Sequence, residues 1–290
     1  MDAIEVLRQL AKMSSMIVSF NYPIIILLTL PGFSSVFAQA DLPDEHLMYL
    51  PLVSKVPWGD MIYIPSGNFQ MGCDPAHNGG YSCPEDELPL HSMMLDAFYI
   101  DKYEVTNTQY AACVAAGGCN DLRDYTSETR ISYFNNPDFG DYPVVRADLN
   151  SALMYCLWLG KEIPTEAQWE KAARGSTDTR PYPWGNQTPT CAFGNFMNCN
   201  GDTMSVGSYP AGMSPYGVMD MTGNAMEWTR DAPYSYANHL FIAPYPLGPT
   251  TAMIRGGEWR DDTDAIRVTI RRQGHIIGSL LGFRCVASVP

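Results

Sequence analysis

The chain has 290 residues, 46% of them hydrophobic, which is enough to bury one large core or two small ones. It carries 31 carboxylates against 18 lysines and arginines. This acidic balance disfavours binding to nucleic-acid phosphates and supplies oxygen ligands for hard cations. We therefore expect no nucleic-acid partner.

Residues 1–40 have the pattern of an export segment. Arg8 and Lys12 provide positive charge, residues 23–30 form an apolar run, and Ala38-Gln39-Ala40 is a small-x-small cleavage site. The segment is predicted to be a signal peptide or, alternatively, an uncleaved membrane anchor, which would be the chain's contact with a membrane. In both cases the remainder is expected outside the cytoplasm, whether secreted, periplasmic or at the cell surface.

Residues 41–60 contain three prolines and are predicted to form a linker. Residues 61–290 show no internal repeat and no boundary between two cores, which predicts a single domain. Residues 61–71 are rich in β-forming side chains, with a turn at 65–68. Residues 91–105 come close to alternating apolar and polar side chains and predict a strand.

Three helices are predicted after this strand. Thr106 or Asn107 caps a helix over 108–116, and a second helix over about 149–159 places Cys156 on its buried face. The third has a capping box, Thr165 with Gln168, and ends at Gly175.

The chain is then rich in loops for some eighty residues, which is improbable in a compact domain unless ions or disulfides fix the loops. Strand-like sequence returns at 253–259 and 282–287.

The eight cysteines fit an oxidising compartment. Three pairs are close in sequence and predict local disulfides: Cys73 with Cys83, Cys113 with Cys119, and Cys191 with Cys199. A bond between the remaining two, Cys156 and Cys285, would close a loop of about 130 residues and stabilise the fold by roughly 4 to 5 kcal/mol. The alternatives are free buried thiols or metal ligands, although no spacing matches a paired CxxC zinc site.

Seven motifs in order resemble the formylglycine-generating enzyme (sulfatase-modifying factor) family over residues 60–288. They are Ile64 to Gly72 (IPSGNFQMG), Tyr103 to Asn107 (YEVTN), Tyr155-Cys156 with Gly160-Lys161 leading into Pro164 to Glu170, Pro183 to Asn186 (PWGN), Gly223 to Trp228 (GNAMEW), Arg255 to Gly257 (RGG) and Gly282 to Cys285 (GFRC). Each motif is weak alone, but their order and spacing are specific. The resemblance implies an α+β, loop-rich single domain with little regular secondary structure, related to C-type lectins.

The resemblance also implies two calcium sites. The first would use the side chains of Asp220 and Glu227 with the carbonyls of Gly223 and Ala225. The second would use Asn195 and Asp202 with the carbonyls of Phe196 and Met204. Clustered carboxylate, amide and carbonyl oxygens in a glycine-rich loop suit a hard cation. The alternative is that these residues are ordinary turn and surface residues.

The resemblance further implies that Cys156 pairs with Cys285, while a second long-range disulfide of the family is absent because its helix-side partner falls at Ala173. In the family, two cysteines shortly after the RGG motif bind copper(I) and activate oxygen. Here residues 260–267 contain no sulfur, and soft copper(I) selects sulfur ligands. Copper is therefore not expected. The five histidines are scattered and predict no iron site of the kind found in sibling enzymes: His46, His77, His91, His239 and His275.

Two functions remain open. The first is an exported, non-catalytic binding or structural module whose C-terminal loop, residues 260–279, recognises an exported protein, a peptide or a glycan; its candidate ligand-binding residues are Trp259, Arg267, Arg272 and His275. A merely solvated loop is the alternative for that charge mixture. The second is a formylglycine-generating oxidase or another enzyme of the superfamily, for which no spacing singles out a catalytic residue.

Overall fold

A computed structural model describes residues 60–238, 251–275 and 280–289 of the chain. The predicted export segment and nearly all of the predicted linker lie outside these residues. Within them, no helix combines the length and the apolarity that a bilayer span requires.

Nine short strands form three sheets in the described part of the chain. Their bounds are β1 (Met61–Ile64), β2 (Gly67–Met71), β3 (His91–Leu95), β4 (Phe98–Asp101), β5 (Met226–Trp228), β6 (Thr251–Arg255), β7 (Arg272–His275), β8 (Leu281–Gly282) and β9 (Val286–Ser288). The sheets have the orders β1-β4-β9, β2-β3 and β7-β6-β5-β8, and the pairing of β5 with β8 is parallel whereas the others are antiparallel.

The three α-helices begin at side chains that cap their free amides. They are α1 (Asn107–Ala115), α2 (Leu149–Trp158) and α3 (Glu166–Arg174). Thr106 caps α1 and Thr165 caps α3, each as part of a capping box with the glutamine three residues on, and Asp148 caps α2. The predicted helices are thus confirmed, with ends displaced by one residue or less.

The predicted strands differ from the observed ones where the backbone turns. The segment 91–105 contains two strands, β3 and β4, that belong to different sheets. The segment 253–259 stops being a strand after Arg255, because Gly256 and Gly257 have φ angles of 95° and 71°. The turn predicted at 65–68 is shorter, since Gly67 and Asn68 already pair with β3.

All four expected disulfides are present, and no cysteine is free. Cys156 on α2 is bonded to Cys285, which precedes β9, and both residues are fully buried. Around this bond lies a core of aromatic and aliphatic side chains that includes Tyr110, Tyr155 and Phe283. The long-range disulfide therefore joins the helical side of the domain to its C-terminal strands.

A second buried region is ionic. Glu166 and Glu170 on α3 pair with Arg271 and Arg255 near the C-terminal sheet, and all four side chains have no exposed surface. Arg255 also lies over the ring of Trp169, at 5.4 Å from the ring centre. Because a buried carboxylate without a partner is very costly, these pairs fix the position of α3 against the sheet.

Candidate cation site and recognition surface

The turn that precedes β5 has an unusual backbone. Asp220, Gly223 and Asn224 have φ angles of 56°, 77° and 63°. A Cβ atom on Gly223 would lie 2.3 Å from the carbonyl oxygen of Asn195, so only glycine fits there. The tight turn leads directly into β5, on which Glu227 is buried in the interior of the domain.

Glu104, between β4 and α1, holds this turn from the other side. Its Oε1 accepts a hydrogen bond from the backbone N–H of Ala225 at 3.0 Å, and its Oε2 accepts one from Nδ2 of Asn224 at 2.7 Å. Only 1% of Glu104 is exposed. A carboxylate buried to this degree requires such donors or a nearby positive charge.

The positive charge in this region is Arg284, from the GFRC motif. Its Nη2 lies 2.6 Å from Oε1 of Glu227 and its Nε lies 2.7 Å from Oε2, and Trp169 donates a further hydrogen bond to Oε2 at 2.9 Å. Arg284 also donates to the carbonyl of Met219 at 3.0 Å. The arginine thus ties β5 to the turn that contains Asp220.

The electrostatics of the cluster are unbalanced. Burial, followed by repulsion from Asp220 and Glu227, raises the pKa of Glu104 well above its ordinary value. Burial also raises the pKa of Asp220 to about 6, against a hydrogen bond from Gly207 and the field of Arg284. Three buried carboxylates therefore lie near one guanidinium, and the raised pKa values mean that the cluster favours a bound proton, or a cation in its place.

The first set has the oxygen donors that calcium prefers and more carboxylates than Arg284 neutralises, although both oxygens of Glu227 already accept hydrogen bonds from Arg284 and Trp169. Asp220 and Glu227 supply carboxylate oxygens at a turn that also carries the carbonyls of Gly223 and Ala225, Glu104 supplies two more from the other side of this turn, and calcium prefers such oxygen ligands. Across the described residues, no three side chains of His, Cys, Asp or Glu converge as a ready-made metal cluster. Calcium here would consequently depend on backbone carbonyls as well as on carboxylates, and its binding stays a prediction.

The second set is arranged differently. Burial raises the pKa of Asp202, but hydrogen bonds from Ser127 and Thr129 outweigh this effect and bring the pKa below its ordinary value. Arg130 adds a positive charge 3.3 Å from Oδ1 of Asp202. Protein groups already satisfy this carboxylate, so the second set fits a calcium ion poorly.

The stretch after the RGG motif forms a charged surface together with Glu128 from an earlier loop. We call it the recognition surface and define it by Glu128, Arg260, Asp261 and Arg272. Arg272 is bonded to Asp261 through two parallel hydrogen bonds of 2.8 and 2.9 Å. Arg260 lies 3.1 Å from Glu128, and both of these side chains are about two-fifths exposed, at 42% and 41%. Met226, from the GNAMEW motif, places its sulfur 3.5 Å from Arg272.

Two polar atoms lie buried beneath the recognition surface. Trp259 Nε1 and Glu258 Oε2 have no hydrogen-bond partner among the described residues. Trp259 is 4% exposed and packs with Tyr133 and Leu280, while burial raises the pKa of Glu258. Buried polar groups are usually paired, so these two atoms mark a place where a further polar group would be stabilising.

The four predicted ligand-binding residues lie in different environments. Arg272 is partly exposed, with 35% of its side chain accessible, whereas Trp259 is buried. Arg267 is 1% exposed and is bound to Glu87 at 2.9 Å, so it stabilises the loop 260–271 from the interior of the domain and is not available at the surface. His275 ends β7, and its side chain lies outside the described part of the structure. Their role in binding stays a prediction.

Sequence reasoning missed three residues that organise these sites: Glu104, Arg284 and Arg130. The first two lie inside the YEVTN and GFRC motifs, so the motif order contained a signal for them. Arg130 lies in no motif. Its partner Asp202 is 72 residues further along the chain, and such a contact leaves no periodic trace in the sequence.

Comparisons with known proteins agree with the motif pattern. The sequence model of the Sulfatase-modifying factor enzyme 1-like domain matches residues 51–289. The serine/threonine-protein kinase pkn1 of Chlamydia pneumoniae is 31% identical over an alignment of 248 residues, and the match covers 79% of this chain and 38% of that protein. The chain therefore spans about two-fifths of that relative's length. The formylglycine-generating enzyme of Thermomonospora curvata is 32% identical over 67% of this chain and 80% of its own length.

A solved structure confirms the predicted fold class. PvdO from Pseudomonas aeruginosa matches with a TM-score of 0.64 and 26% sequence identity, covering 79% of this chain and 94% of PvdO. The α+β, loop-rich architecture is therefore shared with a protein of known structure. The relation to C-type lectins stays a prediction.

Proposed function

Because the chain belongs to the sulfatase-modifying factor enzyme 1-like family, we propose that it is an extracytoplasmic member that acts as a binding or structural module and not as a copper oxidase. The observation that carries this proposal is the state of the cysteines: all eight are paired in disulfides. A thiolate is the ligand that copper(I) selects, and a disulfide sulfur cannot serve in its place.

The disulfides also support the proposed compartment. Structural disulfides form and persist in oxidising environments such as the periplasm and the extracellular space. Three of the four close short loops, with sequence separations of 10, 6 and 8 residues, in which little secondary structure would hold the chain. In an oxidising compartment these disulfides stay formed, and an exported domain therefore keeps the stability that they contribute.

The residues after the RGG motif support recognition better than oxidation. Five of the eight residues 260–267 are charged, and Asp261 is held by the guanidinium of Arg272. A bidentate pair of this kind presents hydrogen-bonding groups in a fixed orientation, as peptide and glycan recognition requires. The unpaired Trp259 Nε1 and Glu258 Oε2 lie below it, within the same stretch.

Calcium completes the proposal as a structural cofactor. The ion would be held by Asp220, Glu227 and the carbonyls of Gly223 and Ala225, and it would balance the negative charge that Arg284 leaves uncompensated. Its role would be to fix the loop-rich half of the domain, because an ion that binds only the folded state stabilises it.

The first experiment tests the absence of oxidase activity. Purified protein is incubated with copper(I), oxygen and a peptide containing the CxPxR sequence. The protein and the peptide are then examined by mass spectrometry, and the free thiols of the protein are counted. We expect no free thiols and an unmodified peptide. Formylglycine in the peptide would overturn the proposal and establish the alternative function, that of a formylglycine-generating oxidase, which the 32% identity with the Thermomonospora curvata enzyme favours.

The second experiment tests recognition. Immobilised glycan and peptide arrays are probed with the wild type, with Arg272→Ala and with Arg180→Ala. Arg180 is a matched control, because it also forms two bonds to an aspartate, Asp178, at 2.7 and 2.6 Å, but lies outside the recognition surface. We expect Arg272→Ala to lose at least tenfold in binding and Arg180→Ala to retain it. Equal binding by all three proteins, or no binding by the wild type, would count against recognition at this surface.

A further inference from the structure

The region around Asp202 contains a built-in cation. The resemblance to the family implies a calcium site formed by Asn195, Asp202 and the carbonyls of Phe196 and Met204. We propose that the guanidinium of Arg130 takes the place of that ion, so that this region binds no calcium and the chain has at most one calcium site. This inference does not depend on the proposed function, since it concerns the other set of ligands.

The first step of the argument is the occupancy of the Asp202 carboxylate. Its Oδ2 accepts hydrogen bonds from Ser127 Oγ at 2.6 Å, from Thr129 N at 3.0 Å and from Thr129 Oγ1 at 2.6 Å. Its Oδ1 accepts one from Thr203 N at 2.7 Å and faces Arg130 Nη1 at 3.3 Å. A carboxylate offers about four lone-pair positions, and these donors account for them. A calcium ion would have to displace several hydrogen bonds to reach the carboxylate.

The second step concerns the other implied ligands, which also have protein partners. Asn195 donates from Nδ2 to the carbonyl of Asp202 at 2.8 Å, and its Oδ1 accepts from Asn200 at 3.1 Å. The carbonyl of Phe196 accepts from the N–H of Cys199 at 2.9 Å. The carbonyl of Met204 accepts from Nδ2 of Asn224 at 3.3 Å. The oxygens of these three implied ligands thus already accept hydrogen bonds from donors of the chain itself.

The third step is that the surrounding protein groups hold the guanidinium of Arg130 in one position, as they would hold a bound cation. Its Nη1 lies 3.1 Å from Thr203 Oγ1 and its Nη2 lies 3.0 Å from the carbonyl of Thr203. The guanidinium carbon also faces three rings, at 5.7 Å from the centre of Tyr133, 4.7 Å from Phe139 and 5.2 Å from Tyr142. Cations within about 6 Å of an aromatic ring centre are attracted by its quadrupole.

These contacts give the region a permanent positive charge. The guanidinium belongs to the protein chain, so it neutralises Asp202 irrespective of the calcium concentration. A carboxylate that binds calcium loses its partner when the ion is removed, whereas Asp202 keeps Arg130. We therefore expect the loop 195–204 to stay folded in the presence of a chelator.

Calcium stoichiometry tests the inference in the full chain. Protein freed of metal with EGTA is titrated with CaCl₂ by calorimetry, and the wild type is compared with two matched carboxylate-to-amide variants, Asp202→Asn and Asp220→Asn. We expect one ion per wild-type chain, a Kd within about twofold of wild type in Asp202→Asn, and at least a tenfold weaker Kd in Asp220→Asn. Two ions in the wild type, with one lost in Asp202→Asn, would overturn the inference.

A second measurement needs no variant. Hydrogen exchange of the Thr129 amide, which is bonded to Asp202, is compared in CaCl₂ and in EGTA. We expect no change, whereas faster exchange in calcium would mean that an ion displaces this donor and would refute the assignment. If the wild type binds no calcium at all and Thr129 exchange is constant, the inference stands and the proposed calcium site at Asp220 fails, so the two outcomes are distinguishable.

Discussion

Removing the long-range disulfide should cost far more stability than removing a local one. The bond between Cys156 and Cys285 joins residues 129 apart, and the bond between Cys113 and Cys119 joins residues 6 apart. In the chain-entropy model these separations correspond to about 5 and about 2 kcal/mol of constraint on the unfolded chain. Cys113, Cys156 and Cys285 are fully buried in one core cluster, and Cys119 packs against it, so the packing losses of the two pairs are similar.

The assay is thermal unfolding of two double variants under non-reducing conditions, Cys156→Ala with Cys285→Ala and Cys113→Ala with Cys119→Ala. A difference of about 3 kcal/mol corresponds to a Tm difference of roughly 6–12 °C for a domain of this size. The variant that lacks the long-range bond should have the lower Tm. Equal Tm values for the two variants would refute the reasoning, because loop length would then not determine the effect of the bond.

Three further predictions concern single residues. Burial and then repulsion from Glu166 raise the pKa of Asp231 to about 7, so the stability that its protonated form contributes is lost as the pH rises from about 4 to about 7. Asp231→Asn should therefore gain stability over the wild type at pH 8 but not at pH 4 in urea unfolding, and a pH-independent difference would contradict this. Thr165→Ala removes the α3 cap and should cost about 1 kcal/mol; denaturant midpoints unchanged from the wild type would exclude a capping role. Gly223→Ala should destabilise more than Gly217→Ala in the same assay, because both have positive φ but only at Gly223 would the Cβ meet backbone, 2.3 Å from the Asn195 carbonyl oxygen. Equal losses would mean that φ alone matters.

Local features of the fold could be predicted because their causes are local. The capping boxes at Thr106 and Thr165 are short-range hydrogen bonds between residues three apart, and the sequence shows both partners. The three short disulfides likewise join residues whose proximity the chain itself enforces. The pairing of Cys156 with Cys285 needed the resemblance to a family, since residues so far apart carry no local signal.

The candidate sites were predicted less completely. The resemblance around the GNAMEW motif named Asp220 and Glu227, and their role in binding stays a prediction. The burial of Arg267 and Trp259 could not be predicted, because a charged or aromatic residue in a glycine-rich stretch is compatible with a surface or with an interior. Whether Arg267 meets Glu87, 180 residues away, depends on how the loops pack. The strands β3 and β4 were also joined in the prediction, since alternation does not reveal a change of sheet.

The sequence by itself therefore determined the helices with their caps, the short disulfides and, through the order of its motifs, the family. Only the tertiary structure decided which charges neutralise which: Arg284 with Glu227, Arg272 with Asp261 and Arg130 with Asp202. The physical reason is range. Capping and short-loop closure act between residues that are neighbours along the chain, whereas a buried ion pair forms between whichever charges folding brings together.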